Sequence, residues 1–490
     1  MLKRKCYVIV CPMSSQPASQ ECIQQLSENM NKTILSSFYP LCNTLYTLNK
    51  LTNNIELNNS DIQKFYTYKK LLELQAYLLY GNIVLSVFLR ASFRSTSAVE
   101  KRFNLKYVIF TTTELYKAIN GPKGIWTKLH DSFSSDAVQP YLVEIECELN
   151  RFRQIFYTMN DKAYRDLAVH YDKNPNKVYD FLCQISEDVE TKRASSFLAI
   201  TEAYNRLFSY LSLAILKDGN SNKDLTIKNE DIFRDRSDEI YSLLENEIFS
   251  IGHKLDEVQH SYSLPKVVES AIGISGISEQ MSDILEVAHL GTHIDLLYLD
   301  IATATRAYLS SESSIEKTIH LARLNLITYE GVKKIYDNGA DSFWQKCIVD
   351  VISHKDQMTQ DEINDVDFLL SFASEEGFLF DEEFRHNYAH IRNGNTNRLP
   401  LFFDKIQQLN AFKELKRALV LLRILPKIIH LNTIAFKTAG LEFNNTLKAQ
   451  NRQRMQKFYD YIDKMPISEE QKLDLRKTLE SIETLPYKGN

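Results

Sequence analysis

The chain has 490 residues, 44% of them hydrophobic and 25% charged, with a formal net charge of −5. That is globular composition with apolar material for two or three cores. Its acidic balance excludes a global basic field, so any contact with nucleic acid must be local. Glycine (14) and proline (11) are scarce, which favours helices and excludes a many-turned β sandwich or a glycine-looped nucleotide fold.

Seven cysteines are scattered, four of them between Cys6 and Cys42, and none forms a C-x-x-C pair. An odd, unpaired set reads as reduced thiols in a cytoplasmic protein, with no metal site and no cofactor. The apolar run Tyr7-Val8-Ile9-Val10 is too short for a secretory leader. The sequence reading finds no apolar stretch long enough to span a membrane.

Residues 1–59 read as an accessory segment with a short helix near 21–38. From Asp61, apolar residues recur at helical spacing through Leu71, Leu78, Ile83 and Phe88, ending near Ser92. Ser97-Ala98-Val99-Glu100 is a capping box that opens a helix running to Asn120-Gly121. A short helix holds Trp126, and another with Pro140 in its first turn runs to about Asn160. Asn174-Pro175 begins a helical region that reaches about Lys217. The polar stretch 218–224 marks a boundary, and 230–263 reads as a charged connector helix. The remainder is a second helical region followed by a charged tail, 436–490, of two helices around Pro466. In that tail Lys448, Arg452, Arg454 and Lys457 make a basic face, read first as solvated surface.

The second region echoes the first. Ser97 to Glu100 returns as Ser313 to Glu316, at a numbering offset of 216. Leu78-Leu79-Tyr80 returns as Leu296-Leu297-Tyr298, Asn120-Gly121 as Asn338-Gly339 and Trp126 as Trp344, each at an offset of 218. Matched order at a domain-sized period points to internal duplication. The expected architecture is all-α, with two tandem helical bundles at 60–217 and 280–435. A linker and connector helix at 218–279 joins them, and the accessory segment and the tail flank them.

The chemistry is carried by a motif that also recurs. Arg165-Asp166-Leu167-Ala168-Val169-His170 is matched, at an offset of 220, by Arg385-His386-Asn387-Tyr388-Ala389-His390. Residues five apart on a continuous helix point about 140° apart, so Arg and His reach one ligand only where the helix starts, bends or ends. A guanidinium offers a planar fork to phosphate oxygens, and an imidazole moves a proton near neutral pH. Together they suit phosphodiester cleavage without a metal. RNA suits such a site because its 2′-hydroxyl is a built-in nucleophile. Surface ion pairs, for instance with Asp161 or Glu383, are the structural alternative for the arginines. His289 and His293 have the i, i+4 spacing of a zinc pair but lack the glutamate of H-E-x-x-H.

An Arg, a polar residue, three others and a His, inside an all-helical chain, resembles the HEPN superfamily. The resemblance covers six residues per copy by motif and roughly 61–215 and 280–430 by architecture. It implies a metal-independent endoribonuclease of a defence or toxin system, acting on RNA in the cytoplasm, with one active site composed of both motifs. His170 and His390 are then the proton-transfer pair, and Arg165 and Arg385 hold the scissile phosphate. Asp166, His386, Tyr171 and Asn387 orient motif or substrate, and Tyr164, Tyr171 or Tyr388 can stack on bases. A regulatory or antitoxin protein and a homo-oligomer are the partners such a protein suggests; a membrane is not. The alternative is a non-catalytic helical scaffold that binds RNA or protein.

Overall fold

A computed structural model describes residues 20–53, 62–133, 136, 138–157, 159–169, 175–211, 237–261, 277–336, 359–372, 384–385, 388, 405–466 and 468–483. Among these, every regular element is helical and no strand occurs, so the chain is all-α. The first set of helices is α1 (Gln20–Asn53), α2 (Ile62–Arg94), α3 (Ala98–Asn120), α4 (Ile125–Leu129), α5 (Gln139–Phe156), α6 (Met159–Val169), α7 (Pro175–Gln184) and α8 (Glu187–Tyr210). The second is α9 (Ser237–Ser261), α10 (Ile277–Leu309), α11 (Ser314–Tyr336), α12 (Gln360–Phe372), α13 (Ala411–Lys464) and α14 (Glu469–Glu483).

At the centre lie α2, α3, α10 and α11. Residues 70–92 of α2 and 290–308 of α10 are buried without interruption. A helix that is apolar all round belongs inside a protein or a membrane. Two segments, Tyr66–Arg94 and Ala411–Ala435, have the length and composition of a membrane span, which the sequence reading passed over. The window in the first is wholly buried by neighbouring helices, and that in the second is half buried.

Both capping boxes form. The Ser97 hydroxyl accepts from the Glu100 amide at 3.1 Å, and Glu100 accepts from the Thr96 amide at 3.1 Å. The Ser313 hydroxyl accepts from the Glu316 amide at 3.3 Å, and Glu316 accepts from the Ser313 amide at 3.1 Å. Each glutamate also receives an arginine from the opposite set. Arg90 on α2 donates to Glu316 at 2.6 Å, to Ser27 on α1 at 3.1 Å, and to Glu312. Arg306 on α10 donates to Glu100, to Thr96 at 3.1 Å, and to Tyr241 on α9 at 2.8 Å. The pairs Arg90/Arg306, Thr96/Glu312 and Glu100/Glu316 all share the offset of 216, while Ser27/Tyr241 stand at 214. The exchange is reciprocal, the pattern of a twofold contact.

The same register governs packing. In the first set Gly81 leaves room for Leu115, whose side chain a Cβ would meet at 2.6 Å; in the second, Gly331 leaves room for Leu297, at 2.7 Å. The large and small partners have changed places, again at an offset of 216. Further along, Glu190–Arg193 on α8 pairs at 2.5 Å and Glu414–Arg417 on α13 at 3.1 Å, with an offset of 224.

Three expectations are corrected and one, for the region after Pro175, is refined. The Leu78-Leu79-Tyr80 match at 218 is out by two residues, because α2 and α10 run unbroken in the 216 register that Arg90/Arg306 and Gly81/Leu297 define. The accessory segment and the connector contribute core helices. Met30, Ile34 and Leu41 of α1, and Leu244, Ile248 and Leu255 of α9, are buried at positions that match at an offset of 214. The region after Pro175 is two helices, α7 and α8, with a break at Ile185-Ser186. The boundary at 435 falls inside α13, which stays helical through Pro426 and Gly440. Pro426 lies in the half of α13 that packs against α10 and α11, where tertiary contacts offset its lost hydrogen bond.

Two outcomes follow from the buried exchange. Arg306→Ala strands the Glu100 carboxylate, and Arg90→Ala strands that of Glu316; each variant is expected to lose about 3–5 kcal/mol in urea unfolding. Burial raises the Glu100 carboxyl from 4.5 to about 7, against an opposing pull from Arg306. The folded chain therefore keeps a proton there that the unfolded chain has already released. This contribution to stability is complete below about pH 4.5 and is lost as pH rises through about 7. Wild type should lose stability relative to Glu100→Gln between pH 5 and pH 8, measured by urea midpoints, and parallel profiles would contradict the assignment.

Candidate active site at the paired arginines

Of the candidate site residues, Arg165, Asp166, Arg385 and Tyr388 are described; His170, Tyr171, His386, Asn387 and His390 lie outside the described residues. Arg165 stands on α6, which packs against α3. Its Nη1 donates to Glu114 of α3 at 2.6 Å, and its Nε donates to Asp166 at 2.9 Å. The Glu114 side chain is 2% exposed and that of Arg165 19%. In the second set Arg385 donates from Nε to Glu330 of α11 at 2.6 Å, with side chains 12% and 5% exposed. Its guanidinium also lies 5.7 Å from the centre of the Tyr329 ring.

The described partners common to both arginines are not the two considered from sequence, Asp161 and Glu383, whose side chains lie outside the described residues. They are two buried glutamates, matched at an offset of 216, each far upstream of its arginine in the chain. A buried glutamate needs a cation or a donor, and the motif arginine supplies it. Burial alone would lower the Arg165 guanidinium, but the bonds to Glu114 and Asp166 outweigh it and hold the group above its ordinary value. The clamp fixes each guanidinium in place. Arg165 has five N–H groups; its three bonds to Glu114 and Asp166 leave two for other acceptors.

The two clamps lie toward one end of the bundle. Arg94, just before α3, donates to the Ser310 carbonyl just before α11 at 2.7 Å, so the two helix starts are neighbours. Further along, Arg323 of α11 donates to Asn104 of α3 at 2.6 Å, and its guanidinium sits 4.4 Å from the Tyr107 ring centre. Helices that meet at their starts and again at their middles run the same way. Glu114 follows Glu100, and Glu330 follows Glu316, at the same spacing of 14, about 21 Å along the axis. The motif of the second set also reaches across. Burial raises the Tyr80 and Tyr107 hydroxyls, on α2 and α3, and the nearby Tyr388 phenol adds to the rise.

Tyr388 is 4% exposed and stacks on Phe384 with centroids 6.1 Å apart, so it is a core residue rather than a base-stacking one. Tyr164 is half-buried against Phe181, at 5.1 Å, and donates to Gln184 at 2.5 Å. His293 is fully buried one turn after His289, and among the described residues no three His, Cys, Asp or Glu cluster as metal ligands.

Glu114 and Glu330 were missed in the sequence. Their signal is a second carboxylate, beyond the capping glutamate, at the same register position of α3 and α11, which emerges only once the two helices are superposed at 216 rather than 218. Comparison with family models, characterised proteins and solved structures returned no match to this chain.

A double-mutant cycle tests the clamp. Arg165→Ala leaves Glu114 buried and unpaired, and Arg165→Ala with Glu114→Leu removes both groups. The double variant should recover about 1–3 kcal/mol relative to additivity in urea unfolding, whereas additive losses would mean that the pair is not coupled.

Proposed function

We propose that the two helix sets arose by duplication and pair about a pseudo-twofold axis, and that the chain is a metal-independent endoribonuclease with one composite site. The observation that carries the reading is the matched clamp, Arg165–Glu114 and Arg385–Glu330, on helices that run side by side in the same direction. Each guanidinium is held ready to offset charge on a phosphorane. Each His follows its Arg by five residues. One imidazole takes the 2′-hydroxyl proton as the 2′-oxygen attacks phosphorus; the other gives a proton to the departing 5′-oxygen. The products are a 2′,3′-cyclic phosphate and a 5′-hydroxyl. The resemblance of both motifs to HEPN ribonucleases, intracellular enzymes of defence and toxin systems, supports the same reading, as does the offset, which rises steadily from 214 through 216 and 220 to 224 along the chain.

A second reading has its own observation. Arg165 is engaged by two carboxylates, which suits a purely structural pin in a helical scaffold that binds RNA or protein. One experiment separates the two. Purified protein in EDTA is given mixed-sequence RNA, and product ends are analysed. His170→Ala and His390→Ala should each lower cleavage by at least about 100-fold with unchanged circular dichroism. Intact RNA with wild type, or equal cleavage by all three proteins, retires the nuclease.

A further inference from the structure

Helix α13 has 54 residues, about 81 Å of helix, yet only its first half is in the core. Among the described residues beyond Ala435, Ile462 alone is buried. The direction of the projection is fixed by three contacts. Glu414, in the first turn of α13, accepts from Asn325 of α11 at 3.1 Å. Gly331 of α11 packs on Leu297 of α10, and Asn432 of α13 packs on Gly291 of α10, six residues nearer the start of that helix. So α13 runs with α11 and passes its C-terminal end. It leaves the bundle at the end that carries Glu330 and Arg385.

The projecting part is basic, although the chain as a whole is acidic. Between 437 and 457 there are five Lys or Arg and a single Glu, in a chain of net charge −5. Lys437, Lys448 and Arg452 are exposed. The second and third follow the first at offsets of 11 and 15, which places all three within about 60° on one helix face. Phe458, 56% exposed, follows Arg452 by six residues, about 120° round the helix from it. Among the described residues no carboxylate pairs with any of the three cations. Around the end of α13 and in α14, by contrast, Asp463 is paired with Arg476, and Glu469 with Lys472.

Resting on the nuclease reading for its biological sense, we propose that the projecting half of α13 is an RNA-holding arm. Its basic strip tracks the phosphates of a single strand and leads it toward the paired arginines. An unpaired row of exposed cations is the chemistry of sequence-tolerant binding to a phosphate backbone. The strip is about 22 Å long, enough for a few nucleotides, and it borders the end of the bundle that holds the clamps.

The test uses the full chain in EDTA and a fluorescent single-stranded RNA of mixed sequence, with affinity measured across a potassium chloride series. The variant Lys437→Gln/Lys448→Gln/Arg452→Gln should bind about tenfold more weakly at low salt, with a salt slope shallower by about 2, and should unfold at the wild-type temperature. Unchanged affinity and slope would overturn the arm, as would loss of binding to phosphatidylserine vesicles with RNA binding intact. The same binding measured on His170→Ala keeps the two readings apart. RNA held through the strip but never cut by wild type retires the nuclease and keeps the arm; cleavage with unaltered binding in the glutamine variant does the reverse.

Discussion

The exchange of arginines between the two helix sets is the constraint on which this structure depends. Arg90 leaves one set to meet Glu316 in the other, and Arg306 returns the contact to Glu100. All four side chains are at most 4% exposed. Charges removed from water this thoroughly are tolerable only as satisfied pairs. Each glutamate is at the same time the capping residue of a central helix, accepting backbone amides at the start of α3 or α11. Helix initiation in one half is thereby tied to docking of the other, and neither half can leave without stranding a charge.

The reciprocity stops at Tyr107 and Arg323, which stand at the offset of 216 and meet each other, for a physical reason: two guanidiniums facing each other there would repel. Arg323 instead stacks on Tyr107, its own counterpart at the offset of 216, and is shared between Asn104 and Asp300. Lys106 completes this buried group by bonding Asp300. The inverted Gly81–Leu115 and Leu297–Gly331 contacts show the same freedom in steric form: a gap in one half can be filled from the opposite helix as long as total volume is kept.

At the candidate site the structure adds two residues, Glu114 and Glu330, to those read from the sequence. Arg165 and Arg385 are anchored by buried carboxylates, so their geometry is set by α3 and α11 rather than by the motif helices alone. On the proposed nuclease reading that anchoring serves positioning, since a guanidinium already held costs little to order around a phosphate. Tyr388, by contrast, leaves the list of base-contacting candidates because it lies among Tyr80, Tyr107 and Phe384, next to the place where the two sets meet.

Local signals in the chain determined a good deal. Helical periodicity gave α2, both capping boxes gave the starts of α3 and α11, and the doubled Arg-x4-His gave two matched stations. Each of these is written within a few residues, where backbone propensity and side-chain reach decide the outcome. Tertiary structure decided what depends on distant partners. α1 and α9 became core because their apolar faces found α2 and α10, although their composition reads as polar surface. α13 stayed whole across Pro426 and Gly440, which local propensity would break. Glu114 and Glu330 acquired their meaning only from arginines more than fifty residues further along the chain. Nothing near a buried carboxylate in sequence says which cation will neutralise it; folding brings that cation, and only then does its charge become affordable.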